Sequence, residues 1–270
     1  MLVTNDDGIN GPGLHVLVRR LREEHDGELI VVAPHTEQSG MGAAVGPFYL
    51  DPPLVHEASI PDAEADAVWS IEGPPALGVL VARLGAFGPP PDLVVSGINP
   101  GLNVGRAVYH SGTVGAALTA RNGHINGIAI SQDIDPTVSL HPQHWETAAE
   151  VAAVAMRAVA DAPPATPSVL NLNVPDVPLG ELRGARFVPV GDLPPRRAMS
   201  TELRPLGEGR HELVFEAASE AEDAKTLPPG LDTSIIGDGW AAMSWLGRIA
   251  HDDPGGHDVD ARLAARFDGS

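Results

Sequence analysis

The sequence predicts an α/β protein with a Rossmann-like, doubly wound and mostly parallel sheet, followed by an irregular β-rich C-terminal appendage. Short apolar runs alternate with segments of helical periodicity over the first two-thirds of the 270 residues, as in doubly wound sheets. The apolar runs are bounded by turn-forming residues, as buried parallel strands are. After about residue 175 the alternation stops, so the core is predicted to span residues 1–175 and the appendage residues 176–270.

Five apolar runs have the composition of buried strands. They are rich in Val, Ile and Leu, and each is flanked by Gly, Pro, Asn or Asp. The runs are Leu2–Thr4, Glu28–Ala33, Leu93–Ser96, Gly127–Ser131 and Ser168–Asn173.

Three segments between these runs are predicted helices. One begins at Pro12, and the others span Gly112–Asn122 and His144–Ala162. Proline is favoured in the first helical turn. The apolar residues after it, including Leu14 and Leu17, recur at the spacing that places them on one face of a helix.

The C-terminal region has a different pattern. A Pro-rich stretch, Val188–Arg197, precedes two short strand-like runs, Glu212–Glu216 and Ala241–Leu246. Such a region does not continue a strand–helix alternation. We therefore expect an irregular β-rich segment that serves as an oligomerisation arm.

Composition excludes several classes of function. The net charge is −19 with 17 Lys and Arg residues, which argues against a nucleic-acid scaffold because a phosphate backbone needs a basic face. A small phosphorylated substrate stays compatible if a metal neutralises its charge locally. No apolar run is long enough to span a membrane, and the first strand begins too early to leave room for a signal peptide. The absence of cysteine excludes thiol catalysis, and we expect a cytoplasmic protein.

Oxygen-bearing side chains follow three of the predicted strands. Asp6 and Asp7 come directly after the first, Ser39 lies in the loop after the second, and Asn99 lies in a loop after Ser96. The carboxyl ends of parallel strands collect ligands, and an all-oxygen set suits Mg²⁺ or Mn²⁺ better than Zn²⁺. The alternative is that these residues form ordinary solvated turns.

A second group of small and hydroxyl residues opens the helix at Gly112–Asn122. Ser111 and Thr113 could add hydroxyl bonds to a phosphate at the helix N-terminus, and Gly112 permits close approach. The alternative is a simple serine N-cap.

Histidine and arginine complete this candidate site. His110 could protonate a leaving alcohol or be an ordinary exposed histidine. Arg106 is close in sequence, and a later loop could deliver Arg196 or Arg197.

These motifs resemble the SurE (survival protein E) family of metal-dependent phosphatases, which includes 5'/3'-nucleotidases and acid phosphatases. Several motifs in one order make a specific signal. They are Leu2–Ile9, Val31–Pro34, Glu37–Gly40, Ser96–Gly105, Ser111–Ala117 and Leu170–Pro175.

The resemblance implies a catalytic core in residues 1–175 and hydrolysis of phosphomonoesters, typically nucleoside monophosphates. It implies one divalent metal ion per subunit, held by Asp6, Asp7, Ser39 and Asn99. It also implies phosphate binding by four residues near that site, which are Asn5, Ser111, Gly112 and Thr113. Family members exchange C-terminal segments, so a homodimer or homotetramer is expected.

We expect a water or hydroxide on the metal to attack phosphorus in line, with Asp6, Asp7 and His110 as the catalytic residues. An aspartyl-phosphate route is less favoured, because the familiar aspartate-nucleophile phosphatases have one residue between their first two acids. Asp6 and Asp7 are adjacent.

The chain departs from the family around the predicted leaving-group pocket. Residues 73–78 carry Pro74, Leu77 and Gly78 where the family usually has Thr, Asp and Cys, and His35 replaces an Asp. These changes predict either a changed leaving group or substitutions that only pack. Three hypotheses stay open: a nucleotide phosphatase, a phosphatase for another metabolite such as a sugar phosphate, and a non-enzymic binding protein.

Overall fold

The fold is a nine-stranded, mostly parallel sheet with helices on both faces. The computed structural model describes residues 1–134, 143–192, 198–217 and 228–247. The strands of this sheet are β1 (Leu2–Thr4), β2 (Ile30–Pro34), β3 (Val55–Glu57), β4 (Ala67–Ile71), β5 (Leu93–Pro100), β6 (Asn126–Gln132), β7 (Val169–Val174), β8 (Ala185–Phe187) and β11 (Ala241–Leu246).

The strand order is β3-β4-β2-β1-β5-β6-β7-β11-β8. In this order, the six consecutive strands β4, β2, β1, β5, β6 and β7 are parallel to one another. At the two ends of this group, β3 runs antiparallel to β4, and β11 runs antiparallel to β7. Because β1 lies at the centre with β2 and β5 on either side, their carboxyl ends meet at one edge of the sheet. That edge is the usual ligand position in such folds.

Four longer helices cover the two faces. They are α1 (Pro12–Glu24), α2 (Pro75–Arg83), α3 (Gly112–Asn122) and α4 (Trp145–Asp161). On one face, α1 and α4 bury an apolar cluster that includes Leu17 and Met156. On the other face, α2 and α3 pack over Leu2 and Val94. Alternate residues of β1 therefore serve opposite cores, as expected for a strand buried on both faces. No helix in the described ranges is long and apolar enough to cross a membrane.

Two strands of the C-terminal region extend the main sheet. The strand β11 pairs antiparallel with β7, and β8 pairs parallel with β11. A separate antiparallel hairpin consists of β9 (Ala198–Gly207) and β10 (Arg210–Ala217). The short helix α5 (Asp232–Ile235) lies between the hairpin and β11 in the chain. The division into residues 1–175 and 176–270 stays a prediction.

The α/β fold class is confirmed, and the predicted helix Gly112–Asn122 and strand Ala241–Leu246 have the observed bounds. One detail of the prediction is wrong. Asn99 does not follow its strand but belongs to it, since β5 runs on to Pro100 after a register shift between Ser96 and Asn99. The edge strands β3 and β8 were not predicted, because all their residues are exposed and give no apolar run.

Candidate active site

An open cleft of about 490 Å³ lies at the carboxyl edge of the sheet. This volume is typical of small-molecule sites. The residues lining it come from the loops after β1 and β2, from the end of β5 and the segment after it, and from the start of α3, and they are Asp6, Ser39, Gly40, Asn99, Asn103, Arg106, Ala107, His110 and Ser111. The structure therefore brings together five of the predicted site residues.

Asp6 is a buried carboxylate held against the first turn of α3. Thr113 Oγ1 donates a hydrogen bond to Asp6 Oδ1 at 2.5 Å. Burial raises the pKa of the Asp6 carboxyl, and the Thr113 hydroxyl and backbone partly offset that effect. A Cβ atom on Gly112 would lie 2.7 Å from Asp6 Oδ2. Only glycine at this position lets the carboxylate come so close to the positive end of the helix.

Asp7 does not line the cleft, but the ionised form of its carboxylate is electrostatically unfavourable. Asp7 Oδ2 is buried and has no hydrogen-bond partner among the described residues. Burial, together with the charges of Asp6 and Glu37, raises the pKa of the Asp7 carboxyl to about 7. A buried oxygen without a donor is costly, so this atom is suited to accept a cation.

Glu37 is a third acid near the site that sequence reasoning missed. Its Oε1 accepts a hydrogen bond from the backbone N–H of Ser39 at 2.5 Å. Within the described part of the chain, no three His, Cys, Asp or Glu side chains cluster at metal-binding spacing. Glu37 therefore affects the two aspartates through its charge, which raises the pKa of both carboxyls. Its position two residues before Ser39 is the sequence feature that could have identified it.

The loop that carries Ser39 is fastened to the start of α3. The backbone N–H of Gly42 donates to the carbonyl of His110 at 3.0 Å, and that of Gln38 donates to the carbonyl of Asp6 at 2.7 Å. A Cβ atom on Gly115 would lie 2.1 Å from the Gly42 carbonyl oxygen. The small residues of α3 thus set the distance between this loop and the helix.

Asn99 lines the cleft with a defined amide orientation. Its Nδ2 donates to the carbonyl of Gly101 at 2.7 Å. The Oδ1 atom is then the one left for a ligand, and an amide oxygen is an acceptable partner for a hard cation. Asn99 pairs in register with Ser131 on β6, so its position depends on the sheet.

The four residues that the resemblance assigns to phosphate have different surroundings. Ser111 is the N-cap of α3 and accepts from the backbone N–H of Val114, which leaves its own hydroxyl proton free to donate into the cleft. The single proton of the Thr113 hydroxyl is already donated to Asp6. Asn5 is fully buried and donates to the carbonyl of Gly8. Of these four, only Ser111 lines the cleft in the described structure.

Arg106 and His110 both line the cleft. Arg106 lies on the short 3₁₀ turn Gly105–Tyr109, and His110 follows that turn directly, before α3 begins. Neither has a side-chain ion pair among the described residues. Arg196 and Arg197 lie outside the described residues.

Leu77 and Gly78, two of the residues that depart from the family pattern, are buried on α2 and do not line the cleft. Leu77 is buried in the apolar cluster beneath α2, together with Ile71 and Val79. A Cβ atom on Gly78 would lie 3.1 Å from the side chain of Val32. For Leu77 and Gly78 the structure favours the packing alternative, and a changed leaving group stays a prediction.

The fold and the cleft define a Rossmann-like α/β protein with a pair of adjacent carboxylates, one buried and one half-buried, at the carboxyl edge of its sheet. The family described as Survival protein SurE matches residues 1–195, and the chain belongs to that family.

Two relatives and one solved structure show the extent of the similarity. The chain is 41% identical over 209 residues to the 5'-nucleotidase SurE of Dehalococcoides mccartyi strain CBDB1, covering 77% of this chain and 73% of the relative. It is 33% identical over 268 residues to the 5'/3'-nucleotidase SurE of Edwardsiella ictaluri, covering 95% and 98%. The crystal structure of the SurE protein from Aquifex aeolicus superposes with a TM-score of 0.73 at 25% identity, over 98% of both chains.

Replacing Asp7 by Asn should stabilise the protein in the absence of divalent cations. A carboxyl whose pKa is raised in the folded state ionises at a free-energy cost. This cost is absent below its ordinary value of 3.8 and complete above about 7. We expect Asp7→Asn to raise the free energy of unfolding on the order of 2 kcal/mol at pH 8 and to leave it unchanged near pH 3.5, as measured by urea denaturation with EDTA.

The matched control is Asp51→Asn, which makes the same chemical change at an exposed residue. Equal unfolding free energies for Asp7→Asn and the parent at pH 8 would contradict the electrostatic strain assigned to Asp7.

Proposed function

We propose that this protein is a divalent-metal-dependent phosphomonoesterase that hydrolyses nucleoside monophosphates. The observation that carries the proposal is a pair of adjacent carboxylates, a buried Asp6 and a half-buried Asp7 whose Oδ2 has no hydrogen-bond partner among the described residues, beside a cleft at the start of α3. Its relatives are named 5'-nucleotidase or 5'/3'-nucleotidase. A metal-dependent phosphomonoesterase needs both a site for a cation and a site for an anion, and this edge of the sheet carries residues suited to both.

The residues present suit one Mg²⁺ or Mn²⁺ ion per subunit. The ligand atoms that Asp6, Asp7, Ser39 and Asn99 offer are all oxygens, and Asp7 Oδ2 is a buried oxygen that no donor in the described part of the chain reaches. Oxygen ligands with two carboxylates favour these hard cations. When bound, such a cation polarises the phosphoryl oxygens and lowers the pKa of a water that serves as the nucleophile.

The phosphate is proposed to lie at the start of α3. The Ser111 hydroxyl and the backbone N–H of Gly112 would donate to its oxygens, and Arg106, which also lines the cleft, would supply positive charge. Asn5 and Thr113 would then act indirectly, since Thr113 orients Asp6 and Asn5 holds the turn at Gly8. In this proposal Ser111 and Gly112 bind the phosphate directly, whereas Thr113 and Asn5 support the site from behind the cleft.

A panel of phosphate esters tests this proposal. We expect the protein to hydrolyse AMP and GMP with added Mg²⁺ or Mn²⁺, and to lose activity with EDTA or with Asp7→Asn, while Asp51→Asn retains it. A sugar phosphate turned over much faster than every nucleotide would favour the second hypothesis. No hydrolysis of any ester by the folded, metal-supplemented protein would favour a non-enzymic role.

His110 is proposed as the general acid that protonates the leaving alcohol. A positioned general acid contributes roughly 10²–10⁴-fold to the rate, but only where the leaving group is a poor one. We expect His110→Gln to reduce kcat on AMP about a hundredfold and to reduce kcat on p-nitrophenyl phosphate by a few-fold at most. The comparison of the two substrates is the internal control, and equal losses on both would exclude this role.

We also propose that the chain forms a homodimer or homotetramer through the hairpin β9–β10. One face of this hairpin carries Leu203, Leu213 and Phe215, which are 57–65% exposed. A two-stranded hairpin is marginally stable alone, and an exposed apolar face favours a second copy. A cytoplasmic location stays a prediction.

Charge placed on this face should weaken the assembly. We expect Leu213→Glu to lower the sedimentation coefficient toward that of the monomer in analytical ultracentrifugation. Leu84→Glu, at an equally exposed leucine after α2, is the control and should sediment like the parent protein. A monomeric parent would contradict the proposal.

A further inference from the structure

The segment of residues 103–105, called the wall segment here, forms one side of the cleft. Asn103 lines the cleft, and the segment leads directly to Arg106, His110 and Ser111. Its main-chain polar groups are bonded mainly to side chains. The N–H and carbonyl of Asn103 and the N–H of Gly105 all have side-chain partners.

Two asparagines of β7 hold Asn103 from the sheet. Asn173 Oδ1 accepts from the backbone N–H of Asn103 at 2.7 Å, and Asn173 Nδ2 donates to its carbonyl at 3.1 Å. Asn171 Nδ2 donates to the same carbonyl at 2.9 Å. The side chain of Asn173 thus pairs with Asn103 as the main chain of a neighbouring strand would. Asn103, Asn171 and Asn173 are all buried, so water cannot readily replace these bonds.

A carboxylate from the C-terminal region holds the other end of the wall segment. Asp232, the first residue of α5, is completely buried. Its Oδ2 accepts from the backbone N–H of Gly105 at 2.9 Å, and its Oδ1 accepts from that of Gly191 at 2.7 Å. Burial raises the pKa of the Asp232 carboxyl, and these two N–H groups partly offset the effect.

We propose that Asn173 and Asp232 are positioning residues that fix the wall segment, and with it the phosphate-binding side of the cleft. Neither lines the cleft in the described structure. The predicted metal ligands lie on other segments. Loosening the wall should therefore weaken binding of substrate and of inorganic phosphate more than it slows the chemical step. This inference rests on the proposed phosphomonoesterase function.

Asn173→Asp tests the proposal with little change in shape. The new carboxylate still accepts from the Asn103 N–H, but its second oxygen faces the Asn103 carbonyl and repels it. With p-nitrophenyl phosphate as substrate, we expect KM and the inhibition constant of inorganic phosphate to rise on the order of tenfold, with kcat changed by less than about threefold.

Asn126→Asp is the matched control. Asn126 Oδ1 accepts from the backbone N–H of Ser168 at 3.0 Å, at the opposite end of β6 from Ser131. The chemical change is the same as in Asn173→Asp, but Asn126 lies at the end of β6 that is far from the cleft. We expect its KM and phosphate inhibition to equal those of the parent, even where its melting temperature falls as far as that of Asn173→Asp.

Asp232→Asn is the second variant, and it tests the positioning role of the wall-segment contacts if Asn173→Asp does not fold. It keeps the shape of the side chain and removes a buried charge, yet leaves one of the two N–H groups without an acceptor. We expect KM to rise here as well. An active parent whose variants keep the parental KM, or lose only kcat in proportion to folded protein, would overturn the positioning role. A parent that hydrolyses no phosphate ester would overturn the proposed function instead.

Discussion

The site depends on the insertion of one carboxylate, that of Asp6, between the end of β1 and the first turn of α3. This contact needs the Thr113 hydroxyl as a donor and needs glycine at position 112, where any Cβ would meet the carboxylate. The loop after β2 is fixed beside this contact, because its backbone N–H groups donate to the main-chain carbonyls of Asp6 and His110. The ends of β1 and β2 and the start of α3 are therefore held together at one point.

The site around this contact is electrostatically strained. The carboxylates of Asp6 and Asp7 are adjacent, burial raises the pKa of both, and Glu37 adds further negative charge. Structures that serve only stability rarely keep an unpartnered buried carboxylate oxygen such as Asp7 Oδ2. Strain of this kind is typical of a site that gains its compensating charge from a ligand.

The C-terminal region contributes more to the core than its irregular sequence suggests. Its strand β11 pairs along β7, the strand that carries Asn171 and Asn173, so it completes the sheet next to the wall segment. Asp232 then bonds to the wall segment itself. Within the described ranges of this region, only the hairpin β9–β10 forms a separate sheet. The region therefore links the cleft to the part of the chain that we propose forms the assembly.

The sequence by itself determined the parallel sheet, most of its buried strands, the bounds of α3 and the family. Each of these depends on local signals: apolar runs, helical periodicity and motifs in a given order. It also placed Asp6, Ser39 and Asn99 at one edge, since parallel strands end together. Only the tertiary structure decided that Leu77 packs in the core and that the Thr113 hydroxyl points to Asp6. Only it showed that Asp232 reaches the wall segment from more than a hundred residues away. Such contacts join residues that are distant in the chain, and their geometry depends on how whole elements pack, which no local pattern encodes.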